Sequence, residues 1–178
     1  MTRSLGSTDL KRLHREWRRK AEGRVALLLD SVATPFNVGS ILRTAAALRV
    51  EDVFSRGQTA DEHAAGTQKT ALGAQRYLTF HHLTESDDPV AAIRAAGYRL
   101  IGVELADGAV PIHEADLTGS VCLAVGHEDR GLSSVVAEGA DALVFIPQLG
   151  RIGSLNVATA ASIALYEARR QSWPSNSA

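Results

Sequence analysis

The amino-acid sequence predicts an α/β fold in which a mainly parallel sheet is flanked by helices. Short apolar segments of strand length alternate along the chain with segments of helical periodicity, and this alternation is typical of parallel α/β folds. Most of the strand segments are continuously apolar and lack an apolar–polar alternation, which is the pattern of strands covered on both faces. The 178 residues, 45% hydrophobic and 22% charged, suit one domain or one domain with a small appendage.

Each element is predicted from its local pattern. Short apolar or alternating runs predict strands over 25–29, 52–55, 77–81, 99–103, 121–125 and 142–146. Capping residues and helical periodicity predict helices over 8–22, 38–48, 88–96, 133–138 and 156–170. A polar stretch is expected between the second strand and about residue 73.

The charge of the chain is unevenly distributed. Its formal net charge is −1, but residues 1–24 carry eight basic and three acidic groups, a net of +5, and the remaining residues carry a net of −6. We therefore expect a basic helical extension over 1–23, a main domain over 24–171 and a polar tail over 172–178. A basic segment on an acidic body indicates a polyanionic partner.

The first predicted helix is amphipathic. Thr8 or Asp9 is expected to cap it, and Leu10, Leu13 and Trp17 fall on one face, where they can dock on the body. The other face is mostly arginine and lysine. It is interpreted either as a solvated surface or as a set of phosphate contacts, and both can hold together.

Composition excludes several classes of protein. Cys122 is the only cysteine, so an intrachain disulfide or a multi-cysteine zinc site is impossible, and its apolar surroundings predict a buried thiol. A single histidine beside two acids in the segment 127–129 is poor evidence for a metal site, so we expect none. Neither a membrane span nor a secretory signal is recognised, which predicts a cytoplasmic protein without membrane contact.

Three segments that follow predicted strands contain polar residues suited to ligand binding, because ligands of open α/β sheets bind at the carboxyl ends of the strands. In the first, 35–45, Asn37 is expected to cap a helix, and Arg43 follows six residues later, where its guanidinium can grip a phosphate. The alternative is a cap, a packing glycine at position 39 and a solvated arginine.

The second segment, 125–133, places four polar residues between Gly126 and Gly131. This pattern suits a loop that contacts a ligand through its backbone. Glu128 is expected to pair with Arg43 or Arg130, or to bind a substrate. The alternative is a surface turn that ends in a capping serine at position 133.

The third segment, 146–158, runs from a strand through a glycine-containing loop into an apolar helix. Ser154 and Asn156 stand where the N-terminus of a helix presents free amides, which predicts an anion site. The segment matches neither the G-x-G-x-x-G pattern nor a Walker loop.

The order and spacing of these segments resemble the SpoU (TrmH-type) family of RNA ribose 2′-O-methyltransferases over about residues 24–171. The matching stretches are 37–45, 126–133 and 146–147 followed by 154–157, with a further similar loop at 69–74. The resemblance implies a deep C-terminal trefoil knot, a homodimer and S-adenosylmethionine as cofactor. One position departs from the family pattern: Ala158 stands where a serine is common, so a hydroxyl role there is in doubt.

The resemblance also implies roles for individual residues. The family's cofactor-binding positions, which act largely through the backbone, are Leu105, Gly126, Ile146 and Leu155. The catalytic-site positions are Asn37, Arg43, Glu128, Ser154 and Asn156. Arg43 is expected to contact the target phosphate and the 2′-oxygen, while Glu128 orients Arg43 or a base edge. Sequence-independent RNA contacts are expected from Lys11, Arg12, Arg15, Arg18, Arg19 and Arg43, with further local positive charge from Arg130 and Arg151.

Several functions stay open at this point. The short basic helix favours tRNA as the substrate, because a long N-terminal RNA-binding domain of the kind many rRNA enzymes carry is not recognised. The alternatives are an rRNA 2′-O-methyltransferase, a non-catalytic RNA-binding relative and a nucleotide-binding α/β protein of unrelated chemistry. Retention of the whole catalytic set argues against the second of these, and the missing phosphate-loop patterns argue against the third.

Overall fold

A computed structural model describes residues 4–173 as an α/β fold around one seven-stranded sheet. Arg3 of the basic segment and residues 174–178 of the predicted tail lie outside the described residues. The strands are β1 (Val25–Asp30), β2 (Asp52–Arg56), β3 (Thr79–His82), β4 (Arg99–Val103), β5 (Val110–Pro111), β6 (Val121–Val125) and β7 (Ala142–Phe145). The helices are α1 (Ser7–Lys20), α2 (Pro35–Ala47), α3 (Ala65–Ala71), α4 (Pro89–Ala95), α5 (Ser134–Gly139) and α6 (Val157–Gln171).

The sheet has the order β3-β2-β1-β6-β4-β7-β5, and every neighbouring pair is parallel. The predicted α/β class with a mainly parallel sheet is therefore confirmed. Strands β1 and β6 lie at the centre and are buried along their whole length, as their continuous apolar composition predicts. The parallel arrangement brings the carboxyl ends of these strands to one edge.

Alternate residues of the strands pack into two apolar layers. Leu27 and Leu29 of β1 join α2 and α6 on one face, while Leu28 joins α4 and α5 on the other. Cys122 is fully buried in the second layer, as predicted. Burial by apolar neighbours raises the pKa of its thiol.

Helix α2 begins three residues earlier than predicted, and Asn37 is not its cap. Pro35 occupies the first turn, and Thr34 precedes the helix without making a side-chain capping bond. Proline is favoured at a first turn because its missing N–H has no intrahelical partner to lose. Asn37 lies in the first turn instead, so its side chain is available for other contacts.

Two elements have no counterpart in the sequence prediction. Helix α3 lies within the expected polar stretch, and β5 has only two residues. The contact between α2 and α3 is very close: a Cβ at Gly39 would lie 2.0 Å from Oγ1 of Thr70. Gly39 therefore allows α3 to pack closely on α2, a contact that a hydrophobic pattern does not reveal.

Helix α1 differs from its prediction in its boundaries and its packing. It begins after Gly6 and ends at Lys20, so Thr8 and Asp9 are not its caps. No residue of α1 is buried. Trp17 packs against the ring of Trp173, with 5.0 Å between ring centroids, but the apolar face stays 37–44% exposed at its three predicted contacts. Docking of this face on the body is thus confined to the Trp17 end.

No helix within residues 4–173 combines the length and apolar character that a bilayer span requires.

Helices α2 and α6 are joined by polar contacts along their length. Asn156 Nδ2 donates to Asn37 Oδ1 at 3.1 Å, and Ser162 Oγ donates to Thr44 Oγ1 at 3.1 Å. Near the end of α6, Arg169 is only 2% exposed. It donates to the backbone carbonyls of Leu48, Arg49 and Gly23.

We predict that Arg169→Ala lowers the free energy of unfolding by about 2–4 kcal/mol, because it removes a buried side chain, opens a cavity and leaves three carbonyls without their donor. Urea titration measures the change. Arg170→Ala is the matched control, since Arg170 is exposed and binds only Glu167. Equal losses in the two variants would contradict the role of the buried guanidinium.

Candidate active site

The loop after β6 is a tight hairpin built on two glycines. His127 and Gly131 exchange two backbone hydrogen bonds of 2.9 Å. A Cβ at Gly126 would lie 2.1 Å from the carbonyl carbon of Gly131, and Gly131 itself has φ +69°. Both positions therefore require glycine, one for close approach and the other for a left-handed backbone.

Two carboxylates, which come from the two strands on either side of β6, hold the end of this loop. Glu104, directly after β4, accepts a hydrogen bond from Leu132 N at 3.0 Å. Asp30, the last residue of β1, accepts from Ser133 N at 2.7 Å and pairs with Arg56 at 2.9 Å. The loop is thereby fixed to β4 and β1. Ser133 precedes α5 but makes no capping bond.

Glu128 reaches from the hairpin to the start of α2. Its carboxylate accepts hydrogen bonds from Asn37 Nδ2 at 2.9 Å, Thr34 N at 3.0 Å and Ala33 N at 3.2 Å. These backbone donors stand at the N-terminus of the helix, where amides have no intrahelical acceptor. Glu128 therefore supplies the cap that was predicted for Asn37.

Burial alone raises the pKa of Glu128, but the hydrogen bonds from Asn37 and Thr34 outweigh it and lower the pKa from 4.5 to about 2. The group is a carboxylate at neutral pH and a weak base.

The predicted ion pair of Glu128 with Arg43 or Arg130 is wrong. The three donors at the start of α2 occupy the carboxylate, and Arg130 binds Gln58 Oε1 at 3.1 Å. Arg43 is exposed on α2, and its side chain makes no hydrogen bond or ion pair with any residue in the range 4–173. Its guanidinium is thus free to meet a ligand.

Asn37 joins the second and third predicted segments. Its Nδ2 donates to Glu128, and its Oδ1 accepts from Asn156 Nδ2 at 3.1 Å. Asn156 Oδ1 in turn accepts from Ala158 N and Thr159 N at 2.9 and 3.3 Å, and so caps α6. Side chains from all three segments thus form one hydrogen-bonded chain, Glu128–Asn37–Asn156, which we call the carboxylate–amide chain.

The capping role of Asn156 corrects the predicted anion site at the start of α6. The amides of Ala158 and Thr159 are occupied by the Asn156 side chain, so they are not free for a ligand. Ala158 is buried against the core, where its methyl group packs.

A cleft of about 380 Å³ opens beside the hairpin, between the ends of β4, β6 and β7. All four residues predicted to bind the cofactor line it, together with Ser154 and Glu128. The four are Leu105, Gly126, Ile146 and Leu155. Leu105 is 65% exposed, so this wall of the cleft faces solvent.

Arg43, Asn37 and Asn156 are not among the residues that line the cleft. Glu128 belongs to both the cleft and the carboxylate–amide chain and therefore joins them. Glu104 and Asp129 also line the cleft, although sequence reasoning did not single them out for a site. The position of Glu104, between a buried strand and Leu105, is the signal that would have indicated it.

The predicted RNA-binding residues of α1 are all exposed. Arg12, Arg15, Arg19 and Lys20 line a shallow groove with Glu16. Within residues 4–173, no group of three or more His, Cys, Asp and Glu side chains is arranged to hold a metal ion.

We predict that Glu128 contributes to stability only above its depressed pKa. A carboxyl whose pKa is lower in the folded state stabilises the fold above the unfolded value, near 4.5 here, and this contribution is lost as the pH falls towards about 2. Urea unfolding of Glu128→Gln should therefore show a flatter pH dependence between these values than the unchanged protein.

The exposed Glu85, replaced by Gln, is the control for this titration. A pH dependence that is identical in the Glu128→Gln variant and the unchanged protein would contradict the assignment.

Known proteins similar to this chain include enzymes of both tRNA and rRNA. A 23S rRNA (guanosine-2′-O-)-methyltransferase of Acinetobacter baylyi is 36% identical over 82% of this chain and 59% of the relative. A tRNA (guanosine(18)-2′-O)-methyltransferase of Escherichia coli is 32% identical over 83% of this chain and 63% of the relative. The chain thus spans about 60% of the length of these two curated relatives.

Solved structures agree with the fold. An AdoMet-bound rRNA methyltransferase from Sinorhizobium meliloti superposes with a TM-score of 0.78 at 30% identity, over 93% of this chain and 70% of that one. A SpoU methyltransferase from Streptomyces viridochromogenes in complex with AdoMet gives 0.75 at 34% identity, over 84% and 58%. The model of the SpoU rRNA Methylase family matches residues 24–166. The resemblance is therefore confirmed, and the chain belongs to the SpoU family of methylases.

Proposed function

We propose that this protein transfers a methyl group from S-adenosylmethionine to the 2′-hydroxyl of a ribose in structured RNA. The observation that carries the proposal is the shared edge of the sheet, where Glu128 joins the cleft to the carboxylate–amide chain. Two relatives are named as enzymes that methylate a ribose oxygen, one in rRNA and one in tRNA, and these names support the same chemistry.

The cleft fits a nucleoside cofactor. Its volume of about 380 Å³ is within the range of small-molecule sites. Leu105, Ile146 and Leu155 supply apolar surface for a purine, and Gly126 forms part of the same wall. S-adenosylmethionine, when bound, supplies an activated methyl group on a positively charged sulfur.

The protein's own contribution is mainly positioning. A ribose hydroxyl is a weak nucleophile, so holding it in line with the methyl group supplies much of the reduction in the activation free energy. In this proposal the carboxylate–amide chain fixes the start of α2 to the start of α6, and Ser154, which lines the cleft, positions the ribose. Glu128, with a pKa of about 2, holds the chain as an acceptor and does not remove the hydroxyl proton.

Arg43 is assigned to the RNA. Its guanidinium is exposed and positively charged, which suits a bidentate contact with the target phosphate. The same charge stabilises the negative charge that develops on the 2′-oxygen as its proton passes to solvent water and the methyl group is transferred. Arg43 does not line the cleft, so in this proposal it contacts the RNA and not the cofactor.

We predict that Arg43→Ala retains affinity for S-adenosylmethionine and loses methyl transfer by about 100-fold or more. Calorimetry measures the affinity, and incorporation of labelled methyl groups into RNA measures the transfer. Arg43→Lys, which keeps the charge without the planar fork, should retain part of the activity. Near-normal turnover in Arg43→Ala would contradict the assignment.

Helix α1 is proposed to hold RNA through its phosphates. Lys11, Arg18 and the three arginines of its groove are exposed, and the extension carries a net charge opposite to that of the body. Phosphate contacts of this kind position RNA without reading its sequence.

We predict that replacing Arg12, Arg15 and Arg19 by Gln weakens RNA binding and lowers the slope of log K against log salt by roughly two to three, because each lost phosphate contact removes about 0.7–0.9 from the slope. Filter binding across a salt series measures it. Trp17 fluorescence controls for the integrity of α1, and an unchanged slope would contradict the proposal.

The assembly is proposed to be a homodimer acting in the cytoplasm, with tRNA favoured over rRNA. The exposed apolar side chains of α1 and of α6, including Leu13, Ile163 and Tyr166, support a further protein contact. Mass spectrometry of nucleosides from separated tRNA and rRNA of a deletion strain would identify the RNA whose 2′-O-methyl nucleoside disappears. The trefoil knot stays a prediction of the resemblance.

A further inference from the structure

The carboxylate of Glu104 occupies an unusual position in the cleft. Its backbone N–H donates to Val144 O at 2.9 Å, which fixes the residue to β7. One carboxylate oxygen, Oε2, accepts from Leu132 N at 3.0 Å. The side chain also packs directly on Gly131, where an added Cβ would lie 2.3 Å from Oε2.

Glu104 has no counter-charge among residues 4–173. No lysine, arginine or histidine nitrogen in this range lies within 4 Å of its carboxylate, and its one hydrogen-bond donor is a neutral backbone amide. Arg130, the arginine that lines the same cleft, binds Gln58 instead. Glu104 is half-buried, so water compensates its charge only partly.

The other carboxylates of the cleft differ from Glu104. Glu128 is occupied by three donors at the start of α2, and Asp129 is exposed to solvent. Glu104 is therefore the half-buried carboxylate of the cleft that has neither a counter-charge nor a set of several hydrogen-bond donors among residues 4–173, and a partly buried charge is screened by solvent less than an exposed one.

We propose that Glu104 is a specificity-determining residue that favours the cationic cofactor over its neutral product. The proposal rests on the proposed function, in which S-adenosylmethionine binds in this cleft. That cofactor carries a net charge of +1, whereas S-adenosylhomocysteine, which has lost the sulfonium charge with the methyl group, carries none. A carboxylate without a counter-charge attracts the net positive charge of S-adenosylmethionine. S-adenosylhomocysteine has no net charge for it to attract.

The selectivity has a consequence for turnover. Methyl transfer removes the positive charge from the bound ligand, so the attraction to Glu104 ends when the reaction does. The same carboxylate thus favours entry of the substrate form and release of the product form.

The test compares the affinities of S-adenosylmethionine and S-adenosylhomocysteine by calorimetry in the full chain. Glu104→Gln removes the charge but keeps an amide oxygen that can accept from Leu132 N. We expect it to weaken S-adenosylmethionine binding about tenfold and to leave S-adenosylhomocysteine within about twofold. Asp107→Asn makes the same change of charge at an exposed residue outside the cleft and should leave both affinities unchanged.

Other outcomes overturn the inference. If Glu104→Gln lowers both affinities equally, Glu104 only holds the loop or contacts a group that the two ligands share, and the proposed selectivity is wrong. Unchanged affinities remove any role in binding. If the unchanged protein binds neither ligand, the proposed function itself fails, which is distinguishable because no variant is needed to see it.

A second measurement uses the unchanged protein and does not depend on how a variant folds. Salt screens charge interactions, so the preference for S-adenosylmethionine over S-adenosylhomocysteine should fall as sodium chloride rises from about 50 to about 500 mM. A preference that is constant across this range would contradict an electrostatic origin.

Discussion

The site depends on the hydrogen bonds that Glu128 accepts from Asn37 and from the backbone at the start of α2. Three donors on one carboxylate fix the distance between the hairpin after β6 and the helix after β1. Because these strands are neighbours in the sheet, the contact needs no distortion of the core. Without it, two segments about ninety residues apart in sequence would share an edge of the sheet but not a defined geometry.

The contact extends to the third segment through Asn37, whose two amide atoms bind different partners. This residue donates to Glu128 and accepts from Asn156, so the start of α6 is held to the start of α2. Arg169 fixes the other ends of the same two helices. Arg43 therefore stands on a helix that is restrained at both termini, while its own side chain stays free. A restrained helix that presents one exposed, unpaired guanidinium suits the binding of a phosphate group.

The sequence predicted the central strands well and the helix starts less well. Strands β1, β4 and β6 follow their apolar runs closely, since burial on both faces leaves a continuous pattern. The meeting of the three polar segments also followed from the parallel sheet. The start of α2 was missed because its cap, Glu128, is ninety-four residues away from Thr34. Helix-capping rules applied to a sequence consider only residues within a few positions of the helix end.

Other features of the site had no signature in the sequence. The charge of Glu104 is distinctive because no cation within residues 4–173 forms an ion pair with it, and that is a property of the folded cleft. Likewise, the sequence does not show that the side chain of Asn156 accepts hydrogen bonds from the amides at the start of α6. The family resemblance indicated which residues meet, whereas the structure assigned their hydrogen-bond partners.

The measurement that tests the central claim most directly is a double-mutant cycle between Asn37 and Glu128. It uses kcat/KM for methyl transfer to RNA in Asn37→Ala, Glu128→Ala and the double variant. If the two side chains act through one hydrogen-bonded chain, the double variant loses no more than the worse single variant, because either change breaks the same chain. Losses that multiply would show that the residues act independently and would contradict the account.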